Sequence, residues 1–250
     1  MLYLNTKIVT LILLCISTQL FSRDDTITLE RLHYEKDVSE IKKIKIVNNF
    51  GNIRIRNTDQ DNFVFHGVSQ FSKTYQAQLI AEQSNNQLFI SLKYINSPAI
   101  DSLERVDVAL LVPKYIELDI EIDKGHLTTK KIKNIIKVRS QYSHLTVKSS
   151  NAVDLYSYNG DINLTMLNRN EPKSLKLQTQ KGQINLNYHK KQTPSVSIIS
   201  GGTTTSNSVA MLKNKKKNKR TTYYKDKKSF DRVEIQSDTG SIQLIEIEQR

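Results

Sequence analysis

Six short phrases of the chain turn on a small residue: Gly51, Gly125, Ser143, Gly160, Gly182 and Gly240. The next position in each phrase holds Asn52, His126, His144, Asp161, Gln183 and Ser241. If the phrases stack strand on strand, His126, His144 and Asp161 rise one above another about 4.8 Å apart. Two imidazoles and a carboxylate form a donor set that Zn²⁺ or another borderline divalent ion accepts. An ordinary outward row of polar side chains accounts for the same three residues. The expectation is therefore no metal and no cofactor, with this ladder as the one candidate metal site. His33, His66 and His189 show no partner spacing and read as surface or turn histidines.

A second chemistry lies near the C-terminus. "KNKKKNKRTTYYKDKK", residues 213–228, holds nine Lys or Arg against one Asp, a net of +8 out of the chain's +12. Such a block cannot bury itself, so a flexible basic loop inserted at 206–229 is expected. It is either a solvated insertion or an anion contact site. The contact residues would be Lys213, Lys215, Lys216, Lys217, Lys219, Arg220, Lys225, Lys227 and Lys228, with Tyr223 and Tyr224 offering ring faces for sugars or bases. Anionic polysaccharide, lipid head groups or another envelope protein are the partners to expect. Nucleic acid is not expected for an exported chain.

Catalytic signals are sparse. The chain has no P-loop, no Gly-x-Ser-x-Gly elbow and no His-Glu-x-x-His. A carbohydrate-active β-helix enzyme, the alternative reading, would cluster acids and bases on one long face. Here Asp161 is the only acid among the six post-corner residues. Asp119 and Asp154 share one offset from the corner, but Lys137 falls between them on the intervening phrase, which reads as charge neutralisation along a ladder. No catalytic residue is assigned, and the chain is read as a non-enzyme.

The elements that must position these residues come from the same alignment. Seven and five residues before the corner stand Ile44/Ile46, Leu118/Ile120, Ile136/Val138, Val153/Leu155, Leu175/Leu177 and Val233/Ile235. Two and four after it stand Ile53/Ile55, Leu127/Thr129, Leu145/Val147, Ile162/Leu164, Ile184/Leu186 and Ile242/Leu244. Of these 24 positions only Thr129 is not apolar. Alternation makes each arm a strand with one buried face. The step between the arms is odd, so the chain must bend at the corner for both to face one core. Glycine suits that bend, and Ser143 implies a different conformation there. Phrases at 118, 136, 153 and 175 recur every 17–22 residues, the period of a coil in a stacked repeat. The fold class expected is all-β, a β-solenoid or parallel β-helix. Within it, "TPSVSIISGGTTTSNS" (193–208) is a degenerate coil in which Thr203 and Thr205 replace the apolar pair. Residues 72–84 are the most helical in appearance but fit a strand pair equally. Open ends of such a stack need covering; residues 26–38 are expected to cap one and "EIEQR" to blunt the other.

The first 22 residues differ in kind. Lys7 precedes the apolar run "IVTLILLCI", and Leu20 and Ser22 stand at −3 and −1 of a cleavage site. The run is short for a membrane span and suits a signal peptide at 1–22, ahead of one domain at 23–250. Retention as an anchor and lipidation at Cys15 are the alternatives, although Leu14 occupies a position where lipobox motifs carry a small residue. Cys15 is the only cysteine, so the exported chain would hold no disulfide and no thiol chemistry.

The phrases "GNIRI", "GDINL", "GQINL" and "GSIQL", each after alternating apolar strands, resemble the putative-adhesin β-solenoid family of bacterial envelope proteins. That family is a domain of unknown function related to the head GIN domain. "VDVALLVPKYIELDIEI" (106–122) adds the strand ending in Val-Pro-Lys that the family often carries. The resemblance spans residues 38–248 and departs from the pattern at Ser143 and beyond residue 190. It implies a parallel, helix-like β fold in the periplasm or at the cell surface, a binding or adhesion role, and no catalytic residues to carry over.

Overall fold

A computed structural model describes residues 27–71, 76–95, 104–167, 173–208, 212–217, 220–224 and 231–248. The expected leader, Cys15 included, lies outside the described residues, as do Lys219, Lys225, Lys227 and Lys228. Regular structure is β throughout these segments, apart from one 3₁₀ turn at Lys190–Gln192. The strands are β1 (Thr28–Asp37), β2 (Lys43–Val47), β3 (Ile53–Thr58), β4 (Asn62–Phe71), β5 (Gln76–Ser84), β6 (Gln87–Ile95) and β7 (Arg105–Pro113). Then follow β8 (Glu117–Lys130), β9 (Ile136–Ser149), β10 (Val153–Asn159), β11 (Ile162–Met166), β12 (Ser174–Lys181) and β13 (Ile184–His189). The last are β14 (Ser195–Ser200), β15 (Thr204–Ser206), β16 (Leu212–Lys217), β17 (Arg220–Tyr224), β18 (Arg232–Ser237) and β19 (Ile242–Ile247). The helical-looking stretch therefore contributes a strand, β5.

Two parallel stacks form. Before the corners, β6, β2, β8, β9, β10, β12, β18 and β14 pair in that order. After the corners the order is β7, β3, β8, β9, β11, β13, β19 and β15. β8 and β9 run unbroken through their corners and so belong to both. Register follows the sequence columns: Ile44 faces Leu118, Leu118 faces Ile136, Val153 faces Leu175, and Ile162 faces Ile184. All 24 repeat positions are buried in one continuous core. Thr129 is satisfied there because its Oγ1 accepts the Lys148 amide at 2.9 Å, which removes the cost of a bare buried hydroxyl.

The corners come in two forms. Gly125 adopts φ of +149°, a backbone that side chains disfavour. A Cβ on Gly125 would also overlap the carbonyl oxygen of Gly51 on the neighbouring coil. At 143, 160 and 240 φ is not positive, and the residue three before is Ser140, Ser157 or Ser237. Ser140 Oγ accepts the Ser143 amide at 2.9 Å, and Ser237 Oγ accepts the Gly240 amide at 3.0 Å. A φ that is not positive removes the backbone penalty for a side chain at 143, whereas at 160 and 240 a Cβ would still meet a neighbouring carbonyl oxygen.

Three expectations need correcting. Coil order is not chain order at the ends: β18 and β19 sit between the 175–186 coil and the 196–206 coil. "EIEQR" therefore begins in an interior strand rather than blunting an end. The degenerate coil is also one residue shorter than its neighbours, so Thr204 faces Ile242 and Ser206 faces Leu244, not Thr203 and Thr205. Its weak apolar pattern lies in β15, which runs along β19. Finally, 212–217 and 220–224 are not loop. β16 and β17 form an antiparallel hairpin, and β17 pairs with β14, so the backbone finds a ladder that composition alone did not predict. A Lys-rich strand suits that outer place because its charge discourages further pairing. At the opposite end β4 lies antiparallel on β7, with β1 outermost as expected, and β5 lies antiparallel on β6.

Candidate functional site

The post-corner column is assembled in register, His126 facing His144. Their rings stack with centroids 5.2 Å apart. Around them runs a chain of side chains that accept amides from the next coil. Asn52 N–H donates to Asp107 Oδ1 (2.8 Å), and His126 N–H to Asn52 Oδ1 (3.0 Å). Asp161 N–H donates to His144 Nδ1 (3.2 Å), and Gln183 N–H to Asp161 Oδ1 (2.8 Å). The corner turns these amides out of the backbone ladder, and the column caps them. Because His144 Nδ1 accepts an N–H, the neutral ring carries its proton on Nε2. Asp161 Oδ2 lies 3.4 Å from that same Nδ1. The imidazole lone pair and one carboxylate oxygen are thus engaged in closing corners. Among the described residues no group of three or more His, Cys, Asp or Glu is placed to hold a metal ion.

The two walls differ outside the core. On the wall before the corners, Lys45, Asp119, Lys137, Asp154, Lys176 and Glu234 stand in register, alternating in sign coil by coil. Further ion pairs close beside that row. Lys43 Nζ reaches Asp119 at 3.0 Å and Glu117 at 3.4 Å, Lys45 reaches Glu121 at 2.7 Å, and Arg139 holds Asp154 in a fork at 2.6 and 3.1 Å. The hydrogen bond to Asp119 raises the Lys43 ammonium above its usual range, so it stays charged. The ladder neutralisation read from Asp119, Lys137 and Asp154 is present, with more members than the sequence columns first suggested.

On the wall after the corners, Thr128, Thr146, Asn163, Asn185, Gln243 and Thr205 stand in register. From Thr128 to Thr205 this row is uncharged; beyond Thr128 it continues to Arg54. Asn185 Nδ2 donates to Asn163 Oδ1 at 2.6 Å, while Asn185 Oδ1 has no protein partner.

The basic hairpin places Lys213, Lys215, Lys216, Lys217, Arg220, Tyr223 and Tyr224 on β16 and β17 at the end of the pre-corner stack. At the other end an open cleft of about 840 Å³ separates β1 from β5, with Leu32, Tyr34, Ala77 and Leu79 in its lining. Nearby, the part-buried Tyr94 hydroxyl donates toward Asn48 Oδ1 (2.6 Å) and the Phe50 carbonyl (2.9 Å), and desolvation raises its pKa well above the usual phenolic value. That phenol is a structural brace at the Gly51 corner.

One pair escaped the sequence reading. His33 on β1 and His66 on β4 are direct register partners, with Nδ1 atoms 3.1 Å apart. They are 33 residues apart in an antiparallel pairing. Only knowledge that β1 lies on β4 would have brought them together.

No family model matches the chain, and no curated protein matches it. Solved structures do. A putative cell adhesion protein from Clostridium sporogenes is 15% identical, superposes with a TM-score of 0.56, and is covered over 100% of its length by 89% of this chain. A putative adhesin from Bacteroides fragilis is 13% identical with a TM-score of 0.45, over 97% of its length and 86% of this chain. At these identities the first likeness establishes a shared all-β fold with a bacterial protein, and the second adds nothing to that.

Proposed function

We propose that the chain is a non-enzymatic binding scaffold of the bacterial cell envelope, built as a β-solenoid and exported behind its N-terminal segment. The paired parallel stacks, joined at glycine or serine-braced corners, support the solenoid reading. The C. sporogenes likeness supports the fold, and that protein's name brings adhesion in as the role. The observation that carries the binding is the uncharged row from Thr128 to Thr205. Its hydroxyl and amide groups repeat at the strand spacing of about 4.8 Å. A long polymer rich in hydroxyl groups can meet such a row at several coils at once. An anionic polysaccharide would use both this wall and the cationic hairpin, whereas lipid head groups or another envelope protein would use the hairpin. Asp161, the acid that a glycan-cleaving enzyme would need, has one oxygen committed to the Gln183 amide, which supports a corner role for it.

Co-sedimentation tests the reading. The chain is offered an insoluble anionic polysaccharide, an uncharged glucan and anionic vesicles, with and without residues 212–224. Polysaccharide retention that weakens, but persists, on removing the hairpin is expected. Binding to vesicles alone moves the partner to lipid. Glycan release abolished by Asp161→Asn favours an enzyme, and no retention on any matrix ends the proposal.

A further inference from the structure

The cross-strand histidines of β1 and β4 carry a site that neither the wall nor the hairpin uses. β4 is held on both sides, by β1 and by β7, so its side chains project from a fixed backbone. His33 and His66 face each other from directly opposed positions, their rings inclined by 27° with centroids 4.7 Å apart. Their Nδ1 atoms approach to 3.1 Å. Two imidazole nitrogens bound to one Zn²⁺ at 2.0–2.1 Å stand about 2.9 Å apart at a right angle and about 3.4 Å apart at a tetrahedral one. The observed separation falls inside that window. The far side of His33 is arranged to match. Its Nε2 lies 4.0 Å from Glu35 Oε2, and the other Glu35 oxygen accepts Asn62 Nδ2 at 3.1 Å. A carboxylate behind an imidazole favours the tautomer with the proton on Nε2, which leaves Nδ1 free to ligate. Without a cation the two Nδ1 atoms must share one proton between them; a cation relieves that constraint by taking both lone pairs. The column at His126 and His144 lacks this arrangement, since His144 Nδ1 already accepts a backbone amide.

We propose that His33 and His66 form a surface site for a borderline divalent cation of the Zn²⁺, Ni²⁺ or Cu²⁺ class, oriented by Glu35 and completed by water. Two imidazoles from rigid strands give a site that exchanges its ion, not a buried structural centre. The test is calorimetric titration of the untagged, full-length chain with ZnCl₂ and NiCl₂ at neutral pH. One ion per chain is expected. His33→Gln and His66→Gln should each weaken binding at least tenfold, with their urea midpoints close to the parent's because both rings are exposed. His126→Gln should leave the affinity within twofold. Glu35→Gln should weaken binding several-fold at unchanged stoichiometry, since it positions a ligand without being one. No heat of binding at millimolar ion, or binding that survives both His33→Gln and His66→Gln, overturns the site. Perturbation of the two imidazole resonances on adding Zn²⁺, before any other histidine responds, reports the same event independently of stability.

Discussion

The wall before the corners and the wall after them enclose one core in one register, yet they handle outward polarity in opposite ways. The first wall spends its polar groups on itself. Lys43, Lys45 and Arg139 are each tied to a carboxylate, and charges alternate from Lys45 to Glu234. Pairing any coil with its next-but-one neighbour would set like charges in register there, so the row helps to specify the stacking order. On the second wall the row from Thr128 to Thr205 carries no charge, with Lys148 and Asp161 at outward positions beside it. A surface whose charges pair with one another specifies a fold; an uncharged polar row can contact something else.

The hardest way to break the comparison is to break what both walls hang from. Gly125→Val would drive a side chain into the Gly51 carbonyl at a backbone φ of +149°. Loss on the order of 4 kcal/mol or more is expected, enough to abolish a cooperative urea transition followed by circular dichroism. Ser143→Gly should cost about 1 kcal/mol or less, because that corner needs no positive φ and Ser140 still accepts its amide. Equal damage at the two positions would mean that the corners are not of two kinds.

Charge reversal on the first wall comes next. Asp154→Lys removes the Arg139 fork and places a cation between Lys137 and Lys176. The pair is about one-third exposed, so a loss of about 1–2 kcal/mol is expected, shrinking in 0.5 M salt. Polysaccharide retention should not change. On the second wall the signs swap. Asn185→Leu should move the urea midpoint by less than about 1 kcal/mol while cutting retention several-fold. If retention followed Asp154→Lys instead, the binding face would be the charged wall.

What the sequence disclosed divides along physical lines. The repeat columns were legible because strand alternation and a corner every 17–22 residues are local signals. The buried face at Leu155 and Leu177 follows from them directly. The insertion of β18 and β19 ahead of β14 was not legible, since Val196 and Val233 fit the column equally well and only competition for neighbours orders them. The one-residue shortening before Thr204 is invisible for a similar reason: two adjacent glycines, Gly201 and Gly202, let the corner sit at either. The hairpin of β16 and β17 was hidden by composition, because nine cations in sixteen residues read as loop until a strand edge is supplied for them. The post-corner ladder of His126, His144 and Asp161 was found, but its work of capping amides depends on side-chain direction that no spacing encodes.

The smallest effect tests the edge of the charged wall, where its sign alternation fails. Asp123 lies two residues before the Gly125 corner, and burial, aided by the Glu121 charge, raises its pKa above the ordinary carboxyl value. Between the unfolded and folded pKa values the native chain binds more protons than the unfolded one, so stability falls as pH rises through that window. Above it the full penalty of an ionised, half-buried carboxylate remains. Asp123→Asn removes the charge, so the variant should be more stable than the parent at neutral pH. The gap should close as pH falls through the window, and vanish once both states of the parent are protonated. Urea midpoints from pH 3 to pH 8 measure it. A variant that is less stable at pH 7 would mean that Asp123 makes a favourable contact at the corner, and that the charged wall's self-satisfaction extends to its last residue.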